Sequence, residues 1–126
     1  MERATIANRV DEMNPSKIAI SKLGARTVLS PKVALTYQNC EELEAVFNEC
    51  LEQRKSEIII DCKSVPFFDS EVLGLLVQKH EEFRDRGGIL KLTGMNAVCK
   101  DILLATRLID IFHVHEDIHE AIKSGP

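Results

Sequence analysis

Asp69 and Ser70 stand side by side ahead of an apolar run, Val72-Leu73-Gly74-Leu75-Leu76. Both are residue types that cap helices, because a side-chain oxygen there accepts a hydrogen bond from a backbone N–H that has no intrahelical partner. A hydroxyl at that place also sits at the positive end of the helix dipole, where an added phosphate is favoured. Local chemistry therefore supports two readings, a plain helix cap and a modifiable serine.

Other constellations carry less. His113, His115 and His119 are spaced so that a strand face followed by a helix turn could bring them to one metal. No orienting partner is evident for them, and exposed histidines at a strand-to-helix junction are the simpler account, so no metal site is expected. Asp61 ends an aliphatic run as the acceptor of a phosphoaspartate receiver would, but Ser21 and Lys22 stand where such a receiver needs its acidic pair. Ser70 has no flanking glycines of the nucleophile-elbow type, and no glycine-rich phosphate loop occurs. No catalytic residue and no cofactor are expected.

The chain has 126 residues, 44% of them hydrophobic, which suits one domain with one core. A net charge of −4 leaves no electrostatic footprint for nucleic acid or an anionic membrane. No apolar run approaches the roughly 20 residues of a membrane span, and the first residues lack a signal-peptide core, so a cytoplasmic protein is expected. Cys40, Cys50, Cys62 and Cys99 are widely spaced and read as reduced thiols, mostly in the core.

The elements that must position Ser70 follow from periodicity. Residues 1–15 read as a flexible tail ending at Asn14-Pro15, and residues 16–126 as a single domain. Ile18 and Ile20 alternate with polar or small residues, predicting a strand buried on one face, and Gly24 turns it into a hairpin. The second arm is expected over Thr27-Val28-Leu29 and on through Val33-Ala34-Leu35, with Pro31 at a bulge or where no partner needs its missing donor. Leu43, Val46, Phe47, Cys50 and Leu51 then mark a helix of about 14 residues, with Asn39 and Glu42 placed as a capping box.

Ile58-Ile59-Ile60 lacks polar alternation, as a central strand covered on both faces should. A helix over 70–86 turns Val72, Leu73, Leu76, Val77 and Phe83 inward and Gln78, Lys79, Glu81, Glu82, Asp85 and Arg86 outward, and Gly87-Gly88 ends it. A strand over 89–93 follows. A helix over 96–106 buries Val98, Ile102 and Leu103, a strand covers 111–114, and a last helix over 116–123 turns Ile118, Ala121 and Ile122 inward. A hairpin followed by alternating helices and strands predicts an α/β fold, a mixed sheet packed with about four helices.

Over about residues 16–123 the chain resembles the STAS domain family, that of bacterial anti-sigma factor antagonists. The resemblance is carried by Ile58-Ile59-Ile60-Asp61-Cys62 through Phe67-Phe68-Asp69-Ser70 to Leu73-Gly74-Leu75-Leu76, by Arg86-Gly87-Gly88, and by Leu108-Ile109-Asp110-Ile111-Phe112. It implies a STAS-like mixed sheet and a binding role without turnover. It also implies phosphorylation of Ser70 by a partner that is both anti-sigma factor and serine kinase, reversal by a metal-dependent serine phosphatase, and a monomer or weak dimer. Asp69, Ser70, Glu71, Leu73 and Gly74 are the partner-binding positions it implies. Family members commonly read D-S-S-G-L-G here; this chain has Glu71 at the second serine and Val72 at the first glycine, and keeps Gly74. Val33 and Thr36 likewise stand about where a glycine and an aspartate are frequent. A STAS subunit of a lipid or ABC transporter, or a small-molecule or nucleotide sensor, is the alternative.

Overall fold

The computed structural model describes residues 17–124, so the expected tail of residues 1–15 lies outside the described part. Five strands form one sheet in sequence order: β1 (Ile18–Leu23), β2 (Arg26–Pro31), β3 (Glu57–Asp61), β4 (Ile89–Thr93) and β5 (His113–His115). The first pair is antiparallel, joined by a turn at Gly24, and the remaining pairs are parallel. Parallel neighbours require crossovers. These are supplied by α1 (Cys40–Leu51), α2 (Ser70–Asp85) and α3 (Ala97–Ala105), while α4 (Ile118–Lys123) closes the chain. The mixed sheet with four helices is the fold class expected from the sequence.

β3 is central and buried along its whole length, as its unbroken isoleucines require. Its two faces serve different layers. Ile58 and Ile60 join the main core with Leu43, Phe47, Leu76, Phe83, Leu90 and Leu92, which seats α1 and α2 on one face. Ile59 joins Val28 and Ala121, with Ile118 and Ile122 packed alongside, so α4 covers the other.

That second face holds an ion network within the sheet. Lys91, fully buried, lies 2.7 Å from Glu57 Oε2 and donates to Ala121 O at 2.6 Å and to Ser124 Oγ at 3.0 Å. Arg26 donates to the other Glu57 oxygen at 3.0 Å. Glu57 thus carries two cations, and one of them grips α4.

Several elements differ from expectation. β2 stops at Pro31 and does not run through Val33–Leu35; Leu35 forms only an isolated bridge with Phe68. Lys32 N bonds Lys17 O, so by the alternation of antiparallel ladders the Pro31 nitrogen points away from β1, past the last β2–β3 pairing at Leu29 and Ile60. No donor is missed there. Ile18 is buried but Ile20 is 47% exposed, because β1 is an edge strand that α1 reaches mainly through the Lys22–Glu49 pair. α1 has 12 residues, and the capping box is built by Thr36 and Asn39 around the preceding 3-10 turn, Tyr37–Asn39, instead of by Asn39 and Glu42.

Lys79 faces inward, 3% exposed, where it bonds Asn48 Oδ1 at 2.8 Å and Glu82 Oε1 at 3.1 Å between α1 and α2. Its polar head finds partners while its stem fills the helix seam. In α3 the buried stripe is Cys99 and Leu103; Val98 is 53% exposed, one position off the expected phase. The last strand begins at His113, with Ile111 in the preceding turn, and the last helix begins at Ile118 because Asp117 caps it through Glu120 N. Cys50, Cys62 and Cys99 are buried thiols and Cys40 is half-buried.

Candidate functional site

Two chain segments meet at the head of α2. Leu35 N bonds Phe67 O and Asp69 N bonds Leu35 O, so the loop leaving β2 and the loop leaving β3 run side by side. Asp69 closes this junction. Its Oδ1 accepts from Val72 N at 3.0 Å, the N-cap bond of α2, and its Oδ2 accepts from Tyr37 N at 2.8 Å. The capping function therefore belongs to Asp69, and Ser70 is the first residue of the helix proper, exposed. No hydrogen bond holds its hydroxyl among the described residues.

The remaining positions separate by burial. Glu71 and Gly74 are exposed beside Ser70, whereas Leu73 is 7% exposed and packs in the main core. Leu73 thus anchors the helix and is not part of the open surface. A Cβ built on Gly74 would meet nothing within 4 Å, so the packing of this chain does not demand glycine there. Glycine inside a helix costs about 1 kcal/mol relative to alanine.

Cys40 and Glu44 of α1 line one groove with Ser70, Glu71, Gly74, Leu75 and Gln78 of α2. At the other end Asn48, Leu51 and Glu52 meet Glu82, Asp85 and Arg86. The two helices therefore run parallel, with both N-termini at the Ser70 end. The groove is electronegative in its side chains: loss of hydration first, then the charges of Asp69, Glu71 and Glu44, push the Cys40 thiol above its ordinary pKa. Tyr37 and Phe67, in the two paired segments, are 66% and 43% exposed. Tyr37 has no part in the sequence reading, and Phe67 enters it only as part of the motif that carries the family resemblance. The signal for Tyr37 in the sequence is the Thr36-to-Asn39 capping spacing, which builds the turn that carries it.

The histidines go separate ways. His113 lies against His80, ring centroids 5.9 Å apart, and His115 Nδ1 lies 3.6 Å from Glu120 Oε1. His119 lines a shallow depression along α4. Among the described residues no three His, Cys, Asp or Glu side chains are grouped to hold a metal ion. Nor is any described helix long and apolar enough to cross a membrane.

A mixed sheet whose antiparallel hairpin leads into parallel strands, with a helix start displayed beside it, defines a small α/β domain. A family model for the STAS domain matches residues 17–121, and the chain belongs to that family. Among solved structures, a protein of Thermotoga maritima superposes with a TM-score of 0.78 at 24% identity, covering 86% of this chain and 93% of that one. The anti-sigma factor antagonist SpoIIAA in its unphosphorylated form gives 0.73 at 17% identity, covering 85% and 94%. The phosphorylated form of SpoIIAA, from Bacillus, gives 0.66 at 17%, covering 85% and 97%. A sulfate transporter family protein from Wolinella succinogenes gives 0.71 at 20% identity, covering 82% and 87%. No curated protein sequence matches the chain.

Proposed function

We propose that this protein is a cytoplasmic, non-catalytic switch of the anti-sigma factor antagonist type, controlled by reversible phosphorylation of Ser70. The observation that carries the reading is the division of labour at the head of α2. Asp69 alone supplies the cap, so the Ser70 hydroxyl is exposed and available for modification without cost to the helix. A phosphate there would lie at the N-terminal end of α2, where the helix dipole favours negative charge. The fold would tolerate it.

The consequence falls on the partner. A dianion added beside Asp69 and Glu71 and then covered by a docking protein would be desolvated among like charges. A loss of about 3 kcal/mol is more than a hundredfold in affinity, enough to release a partner held at micromolar strength. The partner implied by the family resemblance is an anti-sigma factor that is also a serine kinase, with a metal-dependent serine phosphatase opposing it. Phosphate-affinity electrophoresis of the protein from its native cells tests the switch: a retarded species absent from Ser70→Ala is expected, and a single unretarded species under all growth conditions would count against it.

Glu71 favours a second reading. It puts a permanent charge next to Ser70, as suits a STAS subunit docked at a fixed affinity, for instance within a transporter assembly. Equal partner affinity of Ser70→Ala and Ser70→Asp would favour that role.

A further inference from the structure

Of the three crossover helices α3 is the least covered. It buries only Cys99 and Leu103, whereas α1 buries five residues and α2 seven. On another of its faces Val98, Ile102 and Ala105 recur at i, i+4 and i+7, with Val98 53% exposed, Ala105 exposed and Ile102 half-buried. Leu104 on the helix and Ile111 in the turn before β5 are exposed as well. Among the described residues nothing lies over this stripe.

Residues 1–16, outside the described structure, carry a matching pattern. Ile6, Val10 and Met13 also recur at i, i+4 and i+7, no glycine or proline interrupts residues 1–13, and Asn14-Pro15 stops a helix there. A segment of that length is marginal as an isolated helix in water, so it needs a surface. Arg3 and Arg9 stand three residues to either side of Ile6, while Asp101 and Asp110 outnumber Arg107 around the α3 stripe and Lys100 is engaged with Glu116 at 3.8 Å.

The reach suffices. Ile18 pairs with Pro31, which puts the start of β1 at the end of the sheet where β3 and β4 finish. α3 starts at that same end, where Asn96 Nδ2 donates to Val65 O and Pro66 O, each at 3.4 Å. From β1 to β4 is three strand spacings, about 14 Å, and residues 14–17 extend to about 14 Å. A helix over residues 3–13 is about 16 Å long, close to the length of α3. Being attached, the segment acts at an effective concentration on the order of millimolar, so a stripe too narrow to retain a separate protein retains it.

We propose that residues 3–13 dock on α3 as an amphipathic helix running antiparallel to it, with Met13 towards Val98, Val10 towards Ile102 and Ile6 towards Ala105. The tail then acts as a built-in cover for an apolar stripe that otherwise favours association between copies. This contact is independent of the switch at Ser70.

The test uses the full chain with the photocrosslinking residue p-benzoylphenylalanine in place of Val10, irradiated in dilute solution. The expected product has the mass of one chain and joins position 10 to a residue within 98–105. Amide exchange reads the same contact without the label. Val10→Asp and Val98→Asp should each quicken exchange in 97–105 about tenfold, the double variant should exchange no faster than either single one, and β3 and β4 should keep wild-type rates. Val10→Asp guards against a fault that Val98→Asp introduces in the helix itself, since it alters α3 only through contact. A crosslinked dimer would place the tail on a second copy and overturn the intramolecular assignment. A monomeric product joined elsewhere, no product at all, or wild-type exchange in Val10→Asp would overturn the docking altogether.

Discussion

The carboxylate of Asp69 joins two helices: one oxygen caps α2 at Val72 N, and the other holds the backbone of Tyr37 at 2.8 Å, in the turn that leads into α1. Removing it would free two backbone donors at once. Asp69→Ala should therefore cost about 1–2 kcal/mol from the cap alone, and somewhat more with the Tyr37 bond. Asp69→Asn retains one acceptor oxygen and should lose less. Urea denaturation of the two variants checks the order: equal midpoints for both would show that the acceptor retained by Asn contributes nothing, and a wild-type midpoint for Asp69→Asn that the second acceptor does not matter.

Ser70 should behave as an exposed position in the fold. With its hydroxyl unpartnered, Ser70→Ala should unfold within about 0.5 kcal/mol of wild type. Ser70→Asp should be no less stable, since a carboxylate in the first turn suits the dipole. A loss of several degrees in the melting temperature of Ser70→Ala would mean that the hydroxyl supports the helix, returning this residue to the role of a cap.

His80 makes stability depend on pH. It is buried in α2 with its ring 5.7 Å from Phe112 and 5.9 Å from His113, and its Nδ1 has no hydrogen-bond partner among the described residues. Burial first, then His113 of β5 and Arg84 of its own helix, lower its pKa from the ordinary 6.5, with Glu81 opposing. The unfolded chain then binds the proton at higher pH than the folded one. The stability is complete above 6.5 and is lost as pH falls through that value towards the lower folded pKa. Urea midpoints measured from about pH 7.5 down to about 5.5 should fall, and His80→Phe should flatten that slope. An undiminished slope in the variant would assign the titration elsewhere.

Lys91 should be the most sensitive charge in the molecule. Lys91→Met removes one of the two cations on buried Glu57 and releases the hold on Ala121 O and Ser124. Breaking a buried pair on one side costs about 3–5 kcal/mol, reduced here because Arg26 stays. Amide exchange should quicken selectively in 118–124. Uniform quickening across β3 and β4 would mean instead that the network supports the whole sheet.

The sequence by itself determined the order and type of the elements, because their signals are local. The stripe from Leu43 to Leu51, the unbroken isoleucines of β3 and the Gly87-Gly88 stop each mark an element without reference to the rest of the chain. Gly88 is demanded for a further reason that is tertiary, since a Cβ there would meet Ser56 O at 2.5 Å. Ser70 and Asp69 were legible as a helix start, but which of them caps was not. That choice depends on Tyr37 N, a donor 32 residues away. Lys79 and Lys91 are long polar residues that periodicity alone cannot place, because their burial depends on partners from α1, β3 and α4. The groove beside Ser70 is likewise a tertiary product: Cys40 and Glu44 are far in the chain from Glu71 and Gly74, and only the parallel packing of α1 and α2 brings them around one serine.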